Sequence, residues 1–360
     1  MFMSNIALEE SLVSVIMCVF SEKEEWLRES IESVLNQTYL YFEFIIINDN
    51  PNRELNKVIL EEYSKLDARI IVVQNMVNLG LTKSLNIGLK MAKGEYIARM
   101  DADDISISHR LLRQIDFLNA NENIDFCGSF VKFIGQKFAL FRAIITLPIT
   151  NEEIRTEMLI SNPIAHPTIM FRKKVLIGEN SLLYDESVKE GQDFELWFRA
   201  ISSFKFYNIE EVLLKYRISS NQVSTKGRSN QNIVANNIRN EGLAAVLNVS
   251  EEELRLHNNI CNGNKSKNID DLLDTEVWFF RLIDEVKNRE FYDASYLQLR
   301  LNRLIIISYI KSLIGIGSFR YFRSNMYLNV GTKTKSRLFF ILNFLKINLL
   351  YFTRRFSVKF

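Results

Sequence analysis

Cysteine and histidine are scarce in this chain, and their scarcity excludes several classes of protein. The 360 residues include three cysteines and three histidines. The cysteines, Cys18, Cys127 and Cys261, lie far apart without paired spacing, which argues against both a disulfide framework and a zinc site. The first twelve residues hold two acids and no basic residue, so we expect no signal peptide. Together these absences predict a protein of the reducing cytoplasm.

Acidic residues are missing from the end of the chain. No Asp or Glu follows Asp293, whereas residues 294–360 contain 12 of the 45 lysines and arginines. Residues 1–293 therefore hold 33 basic and 43 acidic residues, a net charge of −10. A long apolar run is also missing, because polar residues interrupt every apolar stretch of residues 294–360 before the ~20 residues that a spanning helix needs. The interrupting residues are Arg303, Lys311, Asn343, Lys346 and Asn348.

The basic and apolar C-terminal region, residues 294–360, allows two interpretations. We favour a helix lying in the membrane interface, with basic side chains on anionic lipid headgroups. The alternative is a helical subdomain packed on the main body or on a partner. Nucleic acid is not an expected partner, because the basic and aromatic residues form no recognisable nucleic-acid-binding module.

The first half of the chain alternates two kinds of pattern. Continuous apolar segments rich in Val and Ile predict strands buried on both faces, and amphipathic segments between them predict helices. The predicted strands are residues 12–20, 42–47, 69–74 and 96–100, and the predicted helices are residues 24–36, 54–66 and 82–93. This repetition predicts an α/β fold with a mostly parallel sheet, helices on both faces, and one cleft shared by the carboxyl ends of the strands.

The pattern loosens in the second half. Further predicted strands are residues 124–135, 138–145, 168–172 and 212–218, and further predicted helices are residues 106–121, 151–159 and 193–201. From about residue 226 the sequence is polar with helical periodicity. We therefore expect three parts: a main domain over residues 1–225, a helical extension over residues 226–293, and a membrane-associating tail over residues 294–360.

The most informative segment is the acidic tetrapeptide Asp101-Ala102-Asp103-Asp104, which follows the predicted strand 96–100 directly. Carboxylates crowded at a strand end repel each other, so a chain tolerates them best where a cation offsets their charge. Open α/β sheets bind ligands at the carboxyl ends of their strands. The tetrapeptide therefore predicts a metal and diphosphate site. The alternative is a solvated acidic turn that caps the next helix.

Polar residues also follow the first two predicted strands. The first ends at Phe20-Ser21-Glu22 and the second at Asn48-Asp49-Asn50. A carboxylate at a strand end, such as that of Asp49, can accept hydrogen bonds from a base or a ribose. An Asx turn with Asn50 and Pro51 explains Asp49 at least as well.

Asp193 begins the predicted helix 193–201, after Glu190-Gly191-Gln192. An Asp at this position caps free backbone amides and interacts favourably with the helix dipole, so the residues alone do not require a chemical role for it. No Gly-x-Ser-x-Gly elbow, Walker loop or Gly-x-Gly-x-x-Gly motif stands at a strand–helix junction. The activities that depend on those motifs are not predicted.

Taken in order, these segments resemble the family 2 glycosyltransferases of bacterial surface-polysaccharide synthesis, which have the GT-A nucleotide-diphosphosugar fold. The resemblance covers residues 12–225, and the matching segments are residues 13–20, 29–39, 48–50, 78–86 and 98–104. The chain departs from the family pattern at four positions. Cys18 replaces the usual proline, Ser21 the usual asparagine, Gln192 the usual glutamate, and Ser219 a frequent histidine.

The resemblance implies roles for particular residues. Asp103, with help from Asp101, would hold Mn²⁺ or Mg²⁺, and Asp49 would hold the nucleotide base. Asp193 would be the general base, and Arg217 would precede a loop that closes over the diphosphate. The full set of implied nucleotide-sugar-binding residues is Phe20, Glu22, Asp49, Asn78, Lys83, Arg99, Asp101, Asp104 and Arg217.

The implied reaction transfers one hexose from a UDP-sugar, with inversion, to a sugar linked to polyprenyl diphosphate at the inner face of the cytoplasmic membrane. The chain lacks the Gln-x-x-Arg-Trp motif of the processive synthases, so we expect one sugar to be added per encounter. Two other classes stay open. A nucleotidylyltransferase would share the fold but needs a Gly-rich basic signature where residues 21–24 stand, and a non-catalytic scaffold would have lost acids that this chain has.

Overall fold

The computed structural model of the chain describes residues 11–135, 144–177, 181–218, 228–264 and 269–316. The described residues divide into two compact units, the first ending at Gly242 and the second beginning at Leu243. Three predictions fall partly or wholly outside the described residues. They concern the strand at 138–145, the loop at 219–224 and the tail beyond residue 316.

The first unit begins with the predicted alternation of strands and helices. Its first seven elements are β1 (Val13–Val19), α1 (Glu24–Leu35), β2 (Phe42–Asn48), α2 (Glu54–Leu66), β3 (Ile70–Gln74), α3 (Leu81–Met91) and β4 (Tyr96–Asp101). β1 pairs in parallel with β2 on one side and β4 on the other, and β3 pairs in parallel with β2. All seven residues of β2 are buried, as expected of a strand between two helical layers. The predicted α/β class is confirmed.

The second half of this unit completes a mixed sheet. Its elements are β5 (Ile105–Ser106), α4 (Arg110–Ala120), β6 (Phe126–Ile134), β7 (Ile144–Ile145), α5 (Asn151–Glu157), β8 (Met170–Arg172), α6 (Gln192–Ala200) and β9 (Phe206–Arg217). The nine described strands form one sheet in the order β3-β2-β1-β4-β8-β6-β9-β5, with β7 paired on β6. β8 runs antiparallel to β4 and β6, whereas β9 runs parallel to β6.

Two elements differ from the sequence prediction. The helix expected from residue 106 begins at Arg110, because Ile105 and Ser106 pair with β9 as an edge strand. The strand expected from residue 212 begins earlier, at Phe206, whose buried ring stacks on Phe126 with the ring centroids 4.3 Å apart. Both differences arise from partners far away in the sequence, which a local pattern does not reveal.

Apolar side chains cover both faces of the sheet. On one face, α1, α2 and α4 pack with buried residues that include Leu27, Ile59 and Leu118. On the other face, α3, α5 and α6 pack with buried residues that include Leu85, Ile154 and Trp197. Burial on both sides fixes the strands, so the loops at their carboxyl ends are carried by a rigid frame.

The second unit is helical in its described part. α7 (Arg228–Val246) begins in the first unit, and α8 (Glu251–Cys261), α9 (Ile269–Val286) and α10 (Ala294–Ile316) follow. α10 packs against α9, and its residues Leu297, Leu301 and Ile305 are buried. Among the helices that the structure describes, none combines the length and apolar character needed to cross a membrane.

Candidate active site

The acidic tetrapeptide forms the turn at the carboxyl end of β4, as predicted. Asp101 is the last residue of β4 and pairs with Cys18 of β1. The hydroxyl of Ser30 on α1 donates to the Asp101 carbonyl at 2.7 Å. The Arg217 Nε at the end of β9 donates to the Asp103 carbonyl at 2.6 Å. Two elements that flank the turn therefore hold its backbone.

The three carboxylates of this turn are close enough to share a cation. One oxygen from each of Asp101, Asp103 and Asp104 lies within 4.8 Å of the others. Asp104 is 1% exposed; its Oδ1 accepts the backbone N–H of Arg217 at 2.7 Å, while its Oδ2 is buried without a partner. A buried carboxylate oxygen without a donor is costly. Divalent Mg²⁺ and Mn²⁺ prefer such oxygen ligands, so the residues fit the predicted metal.

Burial and mutual repulsion keep this cluster from carrying its full charge. Burial, followed by the charges of Asp101 and Glu22, raises the pKa of Asp103 to about 7. Burial and the charges of Asp101 and Asp103 also raise the pKa of Asp104. The helix-capping alternative is wrong for these acids, because α4 begins at Arg110 and no side chain caps its first turn.

Arg99 pairs with the first acid of the turn. Its Nη1 donates to Asp101 Oδ2 at 2.6 Å, and its Nη2 is paired with Asp101 Oδ1. The guanidinium is almost fully buried, and its charge also lowers the pKa of Asp193. Arg99 is therefore electrostatically linked both to the acidic turn and to the predicted base.

Phe20 and Glu22 lie at the same edge of the sheet, after β1. The Phe20 backbone N–H donates to Glu22 Oε2 at 2.8 Å, and the Phe20 carbonyl accepts hydrogen bonds from Asn50 and Asn56. The Phe20 side chain is left 43% exposed. Glu22 therefore lies close enough to the acidic turn for its charge to act on Asp103, and the contact of Phe20 with a ligand stays a prediction.

Asp49 joins the end of β2 to the loop before α3. Its Oδ1 accepts hydrogen bonds from Asn75 Nδ2 at 2.7 Å and from the Leu79 backbone N–H at 2.8 Å. Its Oδ2 accepts the backbone N–H of Gly80 at 2.8 Å. The Asx turn expected at this position is made instead by Asn48, whose Oδ1 accepts the backbone N–H of Asn50. Asp49 therefore stabilises the loop before α3, and its contact with a nucleotide base stays a prediction.

Asn78 lies within this loop, and Lys83 follows it in α3. Asn78 is exposed, and its Oδ1 accepts the backbone N–H of Gly80 at 2.9 Å. Gly80 has a φ of 86°, a left-handed conformation that favours glycine. Lys83 is exposed in the first turn of α3, and no hydrogen bond ties it to the acidic turn within the described residues.

Arg217 acts on the acidic turn from β9. Besides its bonds to Asp104 and to the Asp103 carbonyl, its guanidinium is paired with Glu29 and lies 5.1 Å from the ring centroid of Trp26. These contacts fasten the turn to α1. A direct contact between Arg217 and a diphosphate, as the resemblance implies, stays a prediction.

Asp193 lies in the first turn of α6. Gly191, with a φ of 77°, takes the N-cap position. Asp193 Oδ2 accepts a hydrogen bond from Asn162 Nδ2 at 2.7 Å. Burial raises the pKa of Asp193, opposed by hydrogen bonds from the Phe194 backbone and from Asn162. A buried carboxylate with a raised pKa suits a general base.

The sequence analysis missed two residues of this site. Ser30 is an ordinary position of an amphipathic helix, and nothing in the pattern reveals its bond to the Asp101 carbonyl. Asn162 precedes Pro163, so the pattern there indicates only a turn. Both act through contacts between distant segments, which one sequence does not show.

The chain is similar to known glycosyltransferases over this part. Residues 14–179 match the family model described as glycosyl transferase family 2. An uncharacterized glycosyltransferase of Methanocaldococcus jannaschii is 40% identical over 212 residues, which are 59% of this chain and 72% of that protein. The O-antigen biosynthesis glycosyltransferase WbnJ of Escherichia coli is 31% identical over 211 residues, 58% of this chain and 80% of that one.

Solved structures agree on the fold at low sequence identity. TarS residues 1–349 from S. aureus, in complex with UDP-GlcNAc, superpose with a TM-score of 0.54 at 16% identity, covering 84% of this chain and 88% of that chain. The chain spans 54% of the longer TarS structure. A mannosyltransferase from Pyrobaculum calidifontis, in complex with GDP-Man and Mn²⁺, gives a TM-score of 0.51 at 12% identity, covering 84% and 86%. The chain therefore belongs to glycosyltransferase family 2 and has the GT-A fold.

Proposed function

We propose that this glycosyltransferase adds a single hexose from a UDP-sugar, with inversion, to a lipid-linked sugar in the synthesis of a bacterial surface polysaccharide. The observation that carries the proposal is the presence of two separate acidic groups near one buried guanidinium, that of Arg99. The acidic turn pairs with Arg99, and Asp193 lies on another element within the electrostatic reach of the same guanidinium. A single displacement needs both a group that binds the donor diphosphate and a base for the acceptor.

The acidic turn is the proposed metal and diphosphate site. Asp103 is the main candidate ligand for Mn²⁺ or Mg²⁺, because Asp101 is already paired with Arg99 and would only assist. A bound divalent ion would offset the negative charge that develops on the departing UDP. The unpartnered Asp104 Oδ2 supports a site for a cation or for the donor sugar. Mn²⁺ in the Pyrobaculum mannosyltransferase is consistent with this assignment.

Asp193 is the proposed general base. In its charged form it would accept the proton of the acceptor hydroxyl as that oxygen attacks the anomeric carbon, and the bond to UDP would break on the opposite face. General base catalysis of this kind contributes about 10²- to 10⁴-fold in rate. Because burial raises the pKa of Asp193, the carboxylate is a stronger base than an exposed aspartate, yet it stays ionised above that pKa.

The donor nucleotide is proposed to lie along the neighbouring strand ends. The exposed ring of Phe20 and the carboxylate of Asp49 would contact the base, and Glu22 and Arg99 would complete the pocket behind the diphosphate. The donor nucleotide would also be contacted by Asn78, Lys83 and Arg217. UDP-GlcNAc in the TarS structure supports a UDP-sugar as the donor, with glucose, galactose or an N-acetylated hexosamine as the candidate sugars.

The proposed acceptor is a sugar on polyprenyl diphosphate, used at the inner face of the cytoplasmic membrane by a peripheral enzyme. The 12 basic residues after Asp293, with no acid among them, support attraction to an anionic lipid surface. The printed names of WbnJ and of the Erwinia amylovora relative AmsE, an amylovoran biosynthesis glycosyltransferase, support a surface polysaccharide as the product.

A donor panel tests the proposal. The full chain is incubated with UDP-Glc, UDP-Gal, UDP-GlcNAc and UDP-GalNAc, each with and without Mn²⁺, and release of UDP is measured with synthetic sugar-diphosphate-lipid acceptors. We expect one donor to be used, Mn²⁺ or Mg²⁺ to be required, and Asp103→Asn to abolish release. A nucleotidylyltransferase would make UDP-sugar from UTP and a sugar phosphate instead, and a scaffold would bind a donor without releasing UDP. Either result would overturn the proposal.

A further inference from the structure

Among the described residues, Asn162 is the one side chain that donates a hydrogen bond to Asp193. Its Nδ2 lies 2.7 Å from Asp193 Oδ2, while its own Oδ1 accepts the backbone N–H of Ile164 at 3.3 Å. The bond from Ile164 fixes which end of the amide is the acceptor, because a backbone N–H can only donate. The N–H₂ of Asn162 is therefore directed at the carboxylate by its own local structure.

The loop that carries Asn162, between α5 and β8, is anchored at both of its sides. Arg239 of α7 is 2% exposed and donates from Nη1 to the Ile160 carbonyl at 3.1 Å. Asn208 of β9 is fully buried and donates from Nδ2 to the Pro163 carbonyl at 3.1 Å. A side chain that is held by an anchored loop can fix the orientation of a partner more closely than one on a free loop.

We propose that Asn162 is the positioning residue of Asp193: its amide holds Oδ2, so that the other carboxylate oxygen, Oδ1, faces the acceptor hydroxyl. The inference rests on the proposed role of Asp193 as the base. A base must present an oxygen within about 3 Å of the proton that it accepts. A carboxylate with no fixed partner rotates between orientations, and each misplaced orientation lowers the fraction of productive encounters.

The same hydrogen bond favours the charged form of Asp193. Burial raises the pKa of this carboxyl, and the Phe194 backbone, Asn162 and Arg99 lower it. Tyr184, from the segment before α6, is also close to Asp193, whose charge raises the pKa of the Tyr184 hydroxyl. Loss of the Asn162 N–H would therefore raise the pKa of Asp193, and the base would become protonated at a higher pH.

Other charged groups lie on the elements around Asp193. On α6, Glu195 is paired with Arg199. On α7, Arg239 is bonded to backbone and side-chain oxygens, and just before α6 the Oε2 of Glu190 is buried without a partner. None of these groups donates to the Asp193 carboxylate in the described part of the chain. Asn162 is consequently the side chain whose removal isolates the effect.

The test measures kcat against pH for the full chain, with the UDP-sugar and acceptor that the donor panel selects. The acid limb is the part of the kcat–pH profile in which kcat falls as Asp193 becomes protonated. For Asn162→Ala we expect it to move to higher pH by about one unit, since the free energy of a hydrogen bond to a charged group corresponds to a pKa change of about that size. We expect kcat near neutral pH to fall about tenfold or more, with the KM for the donor unchanged. Asn162→Asp should move the limb further, and Asn162→Ser, which keeps a donor, should move it less.

Asn208→Ala is the matched control, because it loosens the same loop at Pro163 without touching Asp193. It should lower Tm, and because Asn162 keeps its amide in this variant, the acid limb should move less than in Asn162→Ala. An unchanged limb and kcat in Asn162→Ala, or an equal shift in Asn208→Ala, would overturn the proposal while Asp193→Asn stays inactive. If Asp193→Asn itself retains transfer, the base assignment fails first, and the positioning role fails with it.

Discussion

Burial, rather than the number of acids, distinguishes the individual carboxylates of this chain. Asp103 and Asp193 are both placed where removal from water disfavours their charge, and both have a raised pKa. The reasons for the raised pKa differ beyond burial. Repulsion from Asp101 and Glu22 adds to it at Asp103, whereas hydrogen bonds oppose it at Asp193. One carboxylate is suited to receive a cation and the other to receive a proton.

The ionisation of Asp193 is expected to destabilise the fold. Its pKa is higher in the folded than in the unfolded chain, so the destabilisation is complete above the folded-state pKa and disappears below the unfolded value of about 3.9. We expect Asp193→Asn to raise Tm at pH 8 and to lose this gain as the pH falls towards about 4. Glu195→Gln on the same helix is the control and should bring no such gain. A lower Tm for Asp193→Asn at pH 8 would contradict the raised pKa.

Binding of Mn²⁺ is expected to depend on pH through Asp103. Since the pKa of Asp103 is raised to about 7, a cation must displace a proton at or below neutral pH, and affinity should increase from about pH 6 to about pH 8. Calorimetric titration of the nucleotide-free protein measures this dependence. Glu22→Gln removes one of the repelling charges and should move the increase to lower pH. An affinity that stays constant over this range would argue against Asp103 as the ligand.

At the scale of elements, two charged side chains that the sequence predicts as ligand-binding residues hold loops in place. Asp49 was expected to bind a base, and it accepts three hydrogen bonds from the loop before α3. Arg217 was expected to bind a diphosphate, and it fastens the acidic turn to α1. These side chains shape the donor site even where they do not contact the donor.

Removal of the Asp49 carboxylate should loosen this loop. Asp49→Ala removes three hydrogen bonds and leaves the Leu79 backbone N–H without its acceptor, whereas the Gly80 N–H keeps Asn78 Oδ1. We expect a loss of about 1 to 3 kcal/mol in the free energy of unfolding. Hydrogen exchange at Leu79 and Gly80 should become faster in the absence of any nucleotide. Asp67→Ala, which removes an ion pair with Arg69 at the opposite end of β3, is the control. Unchanged exchange in Asp49→Ala would show that the carboxylate serves the ligand alone.

The sequence predicts the parallel half of the sheet because β1, β2 and β4 are buried strands with continuous apolar runs, and the edge strand β3 is rich in Ile and Val. It predicts the position of the acidic turn for the same reason, since the turn follows β4. It does not predict β5, which depends on pairing between Ile105 and Lys215, or the start of β9, which depends on pairing between Phe206 and Phe126. It also does not reveal the partners of Asn162, because hydrogen bonds between distant loops leave no periodic signal.

At the scale of the whole molecule, the charge asymmetry separates an acidic body, with a net charge of −10 over residues 1–293, from a basic end. Nine of the 12 basic residues after Asp293 lie beyond residue 316. α10 contributes buried residues to the second unit, including Leu297 and Leu301. A truncation at residue 294 would therefore expose a core, whereas a stop after Ile316 keeps α10.

Truncation after Ile316 should release the protein from anionic membranes. We expect the full chain to bind vesicles that contain phosphatidylglycerol, with binding that weakens as salt increases. The truncated chain should bind weakly at low salt and should keep the Tm of the full chain. Replacing the nine basic residues with glutamine in the full-length chain is the matched control and should act like the truncation. Vesicle binding that survives in both variants would contradict the membrane role of this region.

The central claim is that donor binding and proton removal belong to separate carboxylates, and one comparison tests it most directly. Wild type, Asp193→Asn and Asp103→Asn are titrated with UDP in the presence of Mn²⁺ and are then assayed for sugar transfer. We predict that Asp193→Asn binds UDP with wild-type affinity yet loses transfer by about 10²-fold or more, and that Asp103→Asn loses metal-dependent UDP binding. Retained transfer in Asp193→Asn, or unchanged metal-dependent binding in Asp103→Asn, would contradict the account.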